Sequence, residues 1–379
     1  MNITFDATKL VKLLSMMRTS LPGAQKIAAD DLIGLGATEN HLIAYGITTG
    51  FWVRITTPCT VKTPGSVIVN RSRFLTVLGA LRDETTLVKI PSGKSIVLET
   101  KATKSSFTLV TVNNMMSRPE IPDPKVTSIA PGPLKDQIRL NSLNGELAGG
   151  GYSIKGTGQE ISIMASDMQR FVITKQHLPN SDIMNLLIHS KAMDGVGAVL
   201  GVAQDWVNIS KGHNLTKFDA QTADGDTVEF GFPNSVGAFP DMSKILNISD
   251  YPNKAQFEVP GLLEAMTRAS ALADSALPFA DFKFTSPEVC IIEAFSSDGK
   301  AEMQLDCPSE VTDEATAILR LQLVHLKSLL GKAKDCGSDV VRCSWGTKRP
   351  VKWTFEFEGE PRFEDIDMTF ILPAMNREA

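Results

Sequence analysis

Residues 66–81 read SVIVNRSRFLTVLGAL, and this stretch joins two different patterns at Asn70. The residues before Asn70 form a short run that is typical of a β-strand. After it, Phe74, Leu78 and Leu81 follow the three- and four-residue spacing that puts apolar side chains on one face of a helix. The stretch therefore predicts a strand that leads directly into an amphipathic helix.

The same strand–helix unit recurs about every 63 residues along the chain. It opens the sequence at residues 3–17, where Asp6–Thr8 form an N-cap region, and it returns at 186–200, 256–266 and 316–330. A weaker copy at residues 128–143 fills the gap of about two periods in the middle. Six copies account for the whole chain, so internal repetition sets its architecture.

The composition is that of a globular protein rather than a membrane or disulfide-stapled one. The chain has 379 residues, of which 42% are apolar and 21% charged, and its net charge is −5. No apolar run is long enough for a membrane span, and the N-terminus does not resemble a signal peptide. The five cysteines are scattered without a CxxC pair, which favours reduced thiols and a cytoplasmic location.

Two polar stretches that contain proline divide the chain. They lie at residues 117–124 and 249–254, and proline there opposes both helix and central strand. Each resulting piece holds two of the six units, together with short β-rich runs and hairpin turns such as Asp224-Gly225. We therefore predict an α+β protein with antiparallel sheets and two helices in each of three repeated domains. The predicted domains are 1–124, 125–251 and 252–379.

The predicted helices are basic although the chain as a whole is acidic. The helix windows 7–20, 70–82, 133–148, 190–201, 259–273 and 322–334 contain only four acidic residues, whereas the whole chain has 38 basic and 43 acidic ones. If the helices share one face, that face is a positive track for a phosphate backbone. The alternative is that Lys and Arg are good helix formers on solvated faces. The basic residues are Lys9, Lys12, Arg18, Arg71, Arg73, Arg82, Lys135, Arg139, Lys191, Arg268, Lys327, Lys332 and Lys334.

Signals for an enzyme are weak. The run Gly195–Gly201 resembles a dinucleotide-binding turn, but its third glycine is one place late and a close-packed helix explains it better. The five histidines are isolated from other metal ligands. Asp365 and Asp367 share one face of a predicted strand, which more often marks a solvated edge than an acid–base pair. We therefore expect no catalytic residues, no metal and no cofactor.

Three segments resemble motifs of one known family. Residues 161–172, ISIMASDMQRFV, resemble the ATDGHRLA segment at the end of a strand in the bacterial sliding clamp, the β subunit of DNA polymerase III. Residues 237–246, GAFPDMSKIL, resemble its G-x-FPDYxx segment, and residues 368–375, MTFILPAM, resemble its terminal strand. The resemblance covers the whole chain in register. It implies three domains of one fold and a head-to-tail dimer, closed as a ring around double-stranded DNA.

The family resemblance also implies a function and three sets of site residues. A sliding clamp is a processivity factor in DNA replication that tethers the replicative polymerase, is loaded by a clamp loader, and has no enzymatic activity. The partner-peptide pocket would use Ser166, Met168, Gln169, Arg170, Phe171, Pro240, Lys244, Ile245, Phe370, Leu372 and Pro373. The dimer interface would pair Phe107 and Leu109 with Ala271 and Leu272. DNA contacts would come from the basic helix residues and from Lys26.

The sequence departs from the family pattern in the pocket and in the third unit. Met168 and Gln169 stand where the family usually has Gly and His, and Met242 replaces a Tyr, so we expect a different preferred peptide. The first helix of the second domain is expected to be short and degraded. Such divergence suits a phage or mobile-element clamp as well as a chromosomal one. Two alternatives stay open: a clamp-fold scaffold that does not encircle DNA, and an unrelated multidomain enzyme.

Overall fold

The computed structural model describes residues 1–21, 31–48, 50–81, 84–89, 93–100, 105–112, 119–141, 151–166, 170–178, 184–235, 239–273, 278–313, 317–347, 349–357 and 366–372. Within these residues the helices are α1 (Ala7–Ser20), α2 (Arg71–Ala80), α3 (Pro131–Asn141), α4 (Ser190–Val202), α5 (Ser243–Leu246), α6 (Val259–Leu272) and α7 (Leu323–Asp335). The strands are β1 (Asn2–Asp6), β2 (Leu32–Thr38), β3 (His41–Ile47), β4 (Trp52–Pro58), β5 (Thr60–Thr63), β6 (Gly65–Asn70), β7 (Glu84–Lys89), β8 (Ser95–Thr100), β9 (Ser105–Val110), β10 (Lys125–Ile129), β11 (Gly151–Gly156), β12 (Glu160–Ser166), β13 (Phe171–His177), β14 (Met184–His189), β15 (Val207–Lys211), β16 (Leu215–Gln221), β17 (Thr227–Pro233), β18 (Asn253–Glu258), β19 (Phe279–Ser286), β20 (Val289–Ser296), β21 (Gly299–Asp306), β22 (Ser309–Val311), β23 (Ile318–Gln322), β24 (Val340–Trp345), β25 (Val351–Glu356) and β26 (Ile366–Leu372).

All six predicted strand–helix units are present. Helices α1, α2, α3, α4, α6 and α7 each follow a strand, namely β1, β6, β10, β14, β18 and β23. Residues at the joints cap the helices: the Asp6 carboxylate accepts from the Lys9 N–H at 2.9 Å, and the Asn70 amide oxygen accepts from the Arg73 N–H at 2.9 Å. Such caps satisfy N–H groups that have no partner within the helix, so they fix where each helix begins.

The third unit has a short helix, as we expected. Helix α3 has 11 residues, fewer than α1, α4, α6 and α7, which have 13 or 14, although α2 has only 10. The predicted helix window extended to residue 148, but residues 142–150 lie outside the described part of the chain. The length of α3 within the described residues therefore fits the expected short helix, and the expected degradation of this unit stays a prediction.

The described chain divides by its contacts into two compact units. The first comprises Met1–Lys135 and Ile188–Val236. It holds a five-stranded sheet in the order β5-β1-β7-β8-β9 and an eight-stranded sheet in the order β10-β15-β16-β17-β4-β3-β2-β6. Helix α1 packs against both α2 and α4, with Leu10 and Leu14 buried. The eight-stranded sheet joins β4 to β17, so it combines strands from the first two predicted domains.

The second unit comprises Asp136–Leu187 and Gly237–Ala379. Its nine-stranded sheet has the order β14-β11-β12-β13-β26-β25-β24-β18-β22, and its four-stranded sheet has the order β21-β20-β19-β23. Helices α6 and α7 pack side by side. The core is aromatic: Phe257 and Phe282 both contact Trp353, which is fully buried. The nine-stranded sheet spans the second and third predicted domains, whose boundaries stay a prediction.

The strand pairings among the described residues are antiparallel, as the sequence predicted. The predicted hairpin at Asp224-Gly225 joins β16 to β17, and Gly225 has a φ of 80°, a conformation that favours glycine. No helix in the described segments is long and apolar enough to cross a membrane.

Candidate functional site

A cluster of apolar side chains lies on the nine-stranded sheet of the second unit. Its floor is formed by the buried side chains of Phe171 and Ile173 on β13 and Ile371 on β26. Phe171 pairs directly with Ile371 across the two strands, and residues two apart on a strand face the same side. The three side chains therefore share one face of the sheet.

A short segment at residues 239–246 packs on this floor. Phe239, Met242, Ile245 and Leu246 are partly buried against it, and the Phe171 and Phe239 ring centroids lie 6.2 Å apart. Because these side chains are only partly buried, the cluster presents apolar surface to solvent. We call this cluster the apolar hollow. Its members are Phe171, Ile173, Ile371, Met164, Phe239, Met242, Ile245 and Leu246.

Charged side chains lie beside the hollow. The Asp241 carboxylate accepts from the Ser243 N–H at 3.0 Å at the start of α5. Hydrogen bonds from Ser243 lower the pKa of Asp241, and the charges of Lys244 and Lys155 lower it further. Lys244 is exposed. The site thus combines an apolar centre with ionic groups at its edge, as peptide-recognition sites do.

The structure brings together part of the predicted pocket. Phe171 and Ile245 lie in the hollow, Ser166 is buried opposite Phe171 at the end of β12, and Pro240 is exposed. Phe370 and Leu372, which we predicted for the pocket, are buried. The residue of β26 that belongs to the same apolar cluster as Phe171 is their neighbour Ile371. Met168, Gln169 and Pro373 lie outside the described residues.

Sequence reasoning missed Ile173 and Ile371. Strict strand alternation from Phe171 would have indicated Ile173. Ile371 depended on the pairing register between β13 and β26, which the sequence did not show.

Two of the predicted DNA-binding residues, Arg71 and Lys9, form ion pairs within the fold. Arg71 is 3% exposed, and its Nε lies 3.3 Å from the Asp31 carboxylate. Its guanidinium also donates to the Met17 carbonyl at 3.5 Å. Lys9 Nζ lies 3.0 Å from the buried carboxylate of Asp226. The burial and the protein partners of Arg71 give its charge a role in the fold, and its predicted DNA contact stays a prediction.

Other basic helix residues do reach solvent. Arg268 forms an ion pair with Glu264 one turn earlier, and Lys327 is half-buried. The side chain of Arg18, and Lys26 and Arg82 altogether, lie outside what is described. The exposed residues are Lys12 on α1, Arg73 on α2, Lys135 and Arg139 on α3, Lys191 on α4, Arg268 on α6 and Lys334 on α7.

Helix α7 carries a cluster of basic groups. Arg170 Nη1 lies 2.5 Å from His325 Nδ1, and Arg139 Nη2 lies 3.1 Å from Asp335 Oδ2. Burial, together with the positive charges of Arg170 and Arg139, lowers the pKa of Lys332 to about 8. We call Arg139, Arg170, His325, Lys332 and Asp335 the α7 cluster.

The predicted dimer residues lie on or beside two sheet edges. Strand β9 ends the five-stranded sheet, and its Phe107 and Leu109 are half-buried while Val110 is 73% exposed. Leu109 lines a hollow of about 320 Å³ together with α2 residues that include Thr76 and Val77.

The second edge belongs to the other compact unit. Strand β21 ends the four-stranded sheet, and α6 packs against it. Ala271 and Leu272 are exposed at the end of α6. Each edge therefore has an edge strand next to a helix, an arrangement that can pair with another chain.

The weak enzyme signals have structural explanations. Gly195 lies inside α4, where a Cβ atom would overlap the ring of Phe230, so close packing accounts for this glycine. Asp367 is an exposed residue of β26, and Asp365 lies outside the described chain. No group of three or more His, Cys, Asp or Glu residues among those described could hold a metal ion.

Comparisons with solved structures define the class of fold. No family model matches the chain, and no curated protein matches it in sequence. Its fold is that of a DNA sliding clamp. Bacterial β subunits of DNA polymerase III share this fold over the full length of the chain.

The individual matches are close in structure and distant in sequence. The sliding clamp from Bacillus subtilis has a TM-score of 0.83 at 17% sequence identity, and the match covers 99% of this chain and 99% of that clamp. The β subunit from Streptococcus pyogenes has a TM-score of 0.83 at 16% identity, covering 99% of this chain and 100% of its own. The subunit from Pseudomonas aeruginosa has a TM-score of 0.82 at 16% identity, with the same coverage.

Proposed function

We propose that this protein is a DNA sliding clamp, a non-enzymatic processivity factor of the cytoplasm. Two copies would close head to tail into a ring around double-stranded DNA. The ring would tether a replicative DNA polymerase and would be opened by a clamp loader. The observation that supports this most is the full-length match of the fold to bacterial DNA polymerase III β subunits.

The two edge strands, β9 and β21, support a head-to-tail dimer. Strand β9 with α2 would meet strand β21 with α6 of a second copy, so that Leu109 packs near Leu272, which is 41% exposed. The two edges are different surfaces, so each copy contributes one of each. A contact between unlike surfaces gives a ring when its rotation closes.

The apolar hollow supports partner binding. Ile245, Met242 and Phe239 offer partly buried apolar surface on a rigid sheet, which suits the apolar side chains of an extended peptide. Lys244 would favour an acidic residue beside them. A tail of the polymerase that occupies this hollow would stay at high effective concentration near the DNA.

The exposed basic residues support DNA binding without sequence recognition. Lys12 and Lys191 lie on α1 and α4, which pack side by side. Lysine contacts to phosphates are sequence-independent and weaken with salt. Such contacts suit a protein that encircles DNA and moves along it.

Ring closure is tested by solution mass and by topology. The full chain should be a dimer by light scattering, and Leu109→Asp should make it a monomer. Val126→Asp is the matched control, because Val126 is an exposed valine on the edge strand β10. Protein loaded by a clamp loader on a circular plasmid should remain bound in high salt and be released when the plasmid is cut. A monomeric wild-type protein would overturn the proposal.

A second candidate is a clamp-fold scaffold that binds partner proteins and does not encircle DNA. The burial of Arg71 and the pairing of Lys9 favour it, since both remove charge from the predicted DNA track. The plasmid experiment separates the two functions. A dimer that binds a polymerase peptide but shows equal retention on circular and linear DNA would be a scaffold.

A further inference from the structure

One face of α7 brings two arginines to either side of a lysine. His325 and Lys332 are seven residues apart, which is two helical turns, and Asp335 follows within the next turn. Arg170 contacts His325, and Arg139 contacts Asp335. Along the helix, Lys332 therefore lies between the two residues that anchor these guanidinium groups.

The surroundings of Lys332 disfavour its charged form. The charges that act on it are those of Arg139 on α3 and Arg170 just before β13. These arginines contact the titratable side chains of Asp335 and His325 on α7. The side chain of Lys332 is half-buried, so it loses hydration yet stays in contact with solvent. At pH 7.5 a lysine with a pKa of about 8 is neutral in about a quarter of molecules, against about one in a thousand for an ordinary lysine.

We propose that Lys332 binds carbon dioxide reversibly as a carbamate held between the guanidinium groups of Arg139 and Arg170. The nitrogen lone pair of the neutral amine forms a bond to the carbon of CO2. One C=O electron pair moves onto oxygen, and the nitrogen gives its proton to water. The step changes no oxidation state and needs no other reactant.

The carbamate is more favourable than the charged amine of Lys332 near Arg139 and Arg170. A charged Lys332 repels both arginines, whereas a carbamate is an anion that both can bind. Arginine pairs with carboxylate-like groups through two parallel hydrogen bonds, and such pairs are stronger than neutral ones. The repulsion between Lys332 and the two arginines would thus be replaced by attraction between the carbamate and the same arginines.

Trapping of the carbamate tests this proposal on the full chain. The protein is equilibrated with ¹³C-bicarbonate at pH 7.5, treated with triethyloxonium to alkylate the carbamate, digested and analysed by mass spectrometry. We expect at least tenfold more label on Lys332 than on Lys334, an exposed lysine of the same helix. The α-amino group, whose pKa is about 7.7–8.0 in model peptides, is the positive control.

Two variants make the outcome decisive. Lys332→Arg keeps the positive charge and should lose the label at this position. Arg139→Gln should reduce labelling of Lys332 severalfold, because it removes both the repulsion of the cation and one partner of the carbamate. Equal labelling of Lys332 and Lys334 beside a labelled α-amino group would overturn the proposal, and so would full labelling of Lys332 in Arg139→Gln. The test does not depend on DNA binding or on ring closure.

Discussion

The Lys9 ammonium lies 3.0 Å from the carboxylate of Asp226, a residue that is 1% exposed. The other oxygen of Asp226 accepts from the Thr222 hydroxyl at 3.1 Å. Lys9 is on α1 and Asp226 lies in the turn before β17, so the pair ties the first helix to a distant hairpin. A buried carboxylate needs such a partner, because an unpaired buried charge is costly. The charge of Lys9 therefore stabilises the fold by neutralising the buried carboxylate of Asp226.

Replacing Lys9 should destabilise the protein more than replacing its exposed neighbour. We expect Lys9→Met to lower the free energy of unfolding by about 1–3 kcal/mol, less than for a fully buried pair because Lys9 reaches solvent and Thr222 still binds Asp226. Lys12→Met on the same helix should change it by less than about 0.5 kcal/mol. Urea denaturation measures both. Adding Asp226→Asn to Lys9→Met should recover part of the loss, and equal effects of the two lysine variants would contradict the argument.

Two glycines of α4 should respond in opposite directions to alanine. A Cβ at Gly195 would overlap the Phe230 ring, whereas one at Gly197 would meet no atom within 4 Å. Gly195→Ala should cost about 1–3 kcal/mol through overpacking. Gly197→Ala should stabilise the protein by about 0.5–1 kcal/mol, since alanine is the better helix former. Thermal unfolding of both variants decides the matter. A stabilising Gly195→Ala would show that the two helical glycines are equivalent.

The repeated strand–helix units could be predicted because each one is encoded by residues close together in the sequence. Helical spacing and short β-rich runs define each strand–helix unit within about 20 residues, and all six units formed as predicted. Residues at the strand–helix joints, such as Asp6 and Asn70, fix where helices begin. The sequence could not show which strands become neighbours. The pairing of β4 with β17 joins segments far apart in the chain, and no local pattern encodes it.

The sequence predicted the candidate site only where the type of a residue indicates whether its side chain is buried or exposed. Phe171 and Ile245 are apolar residues inside recognisable motifs, and both lie in the apolar hollow. Arg71 has the same helical context as exposed Arg73, yet it is buried because Asp31 is positioned to pair with it. Charge counting cannot distinguish these two arginines. Their difference depends on a tertiary ion pair, which sequence alone does not reveal.

The salt dependence of DNA binding should identify which basic residues contact phosphate. Each lost phosphate contact reduces the slope of log affinity against log salt by about 0.9 on duplex DNA. Lys12→Met and Lys191→Met should each reduce the slope by about that amount in filter binding to a non-specific duplex. Lys9→Met should leave the slope unchanged while it lowers stability. If all three variants changed the salt slope equally, the net charge of the protein, and not contacts by particular lysines, would govern DNA binding.

A carboxylate placed in the apolar hollow should abolish partner binding without affecting the ring. Ile245 is partly buried against Phe171, so Ile245→Asp puts a charge where the apolar side chains of a peptide would lie. We expect at least tenfold weaker binding of the C-terminal peptide of a bacterial replicative polymerase, measured by fluorescence anisotropy, with an unchanged dimer mass. Val324→Asp is the control, because this valine is 51% exposed in the first turn of α7, where an acidic side chain is compatible with the helix dipole. If the Ile245 and Val324 variants bound the peptide equally well, partners would bind elsewhere on the protein, and the hollow would be only part of the core.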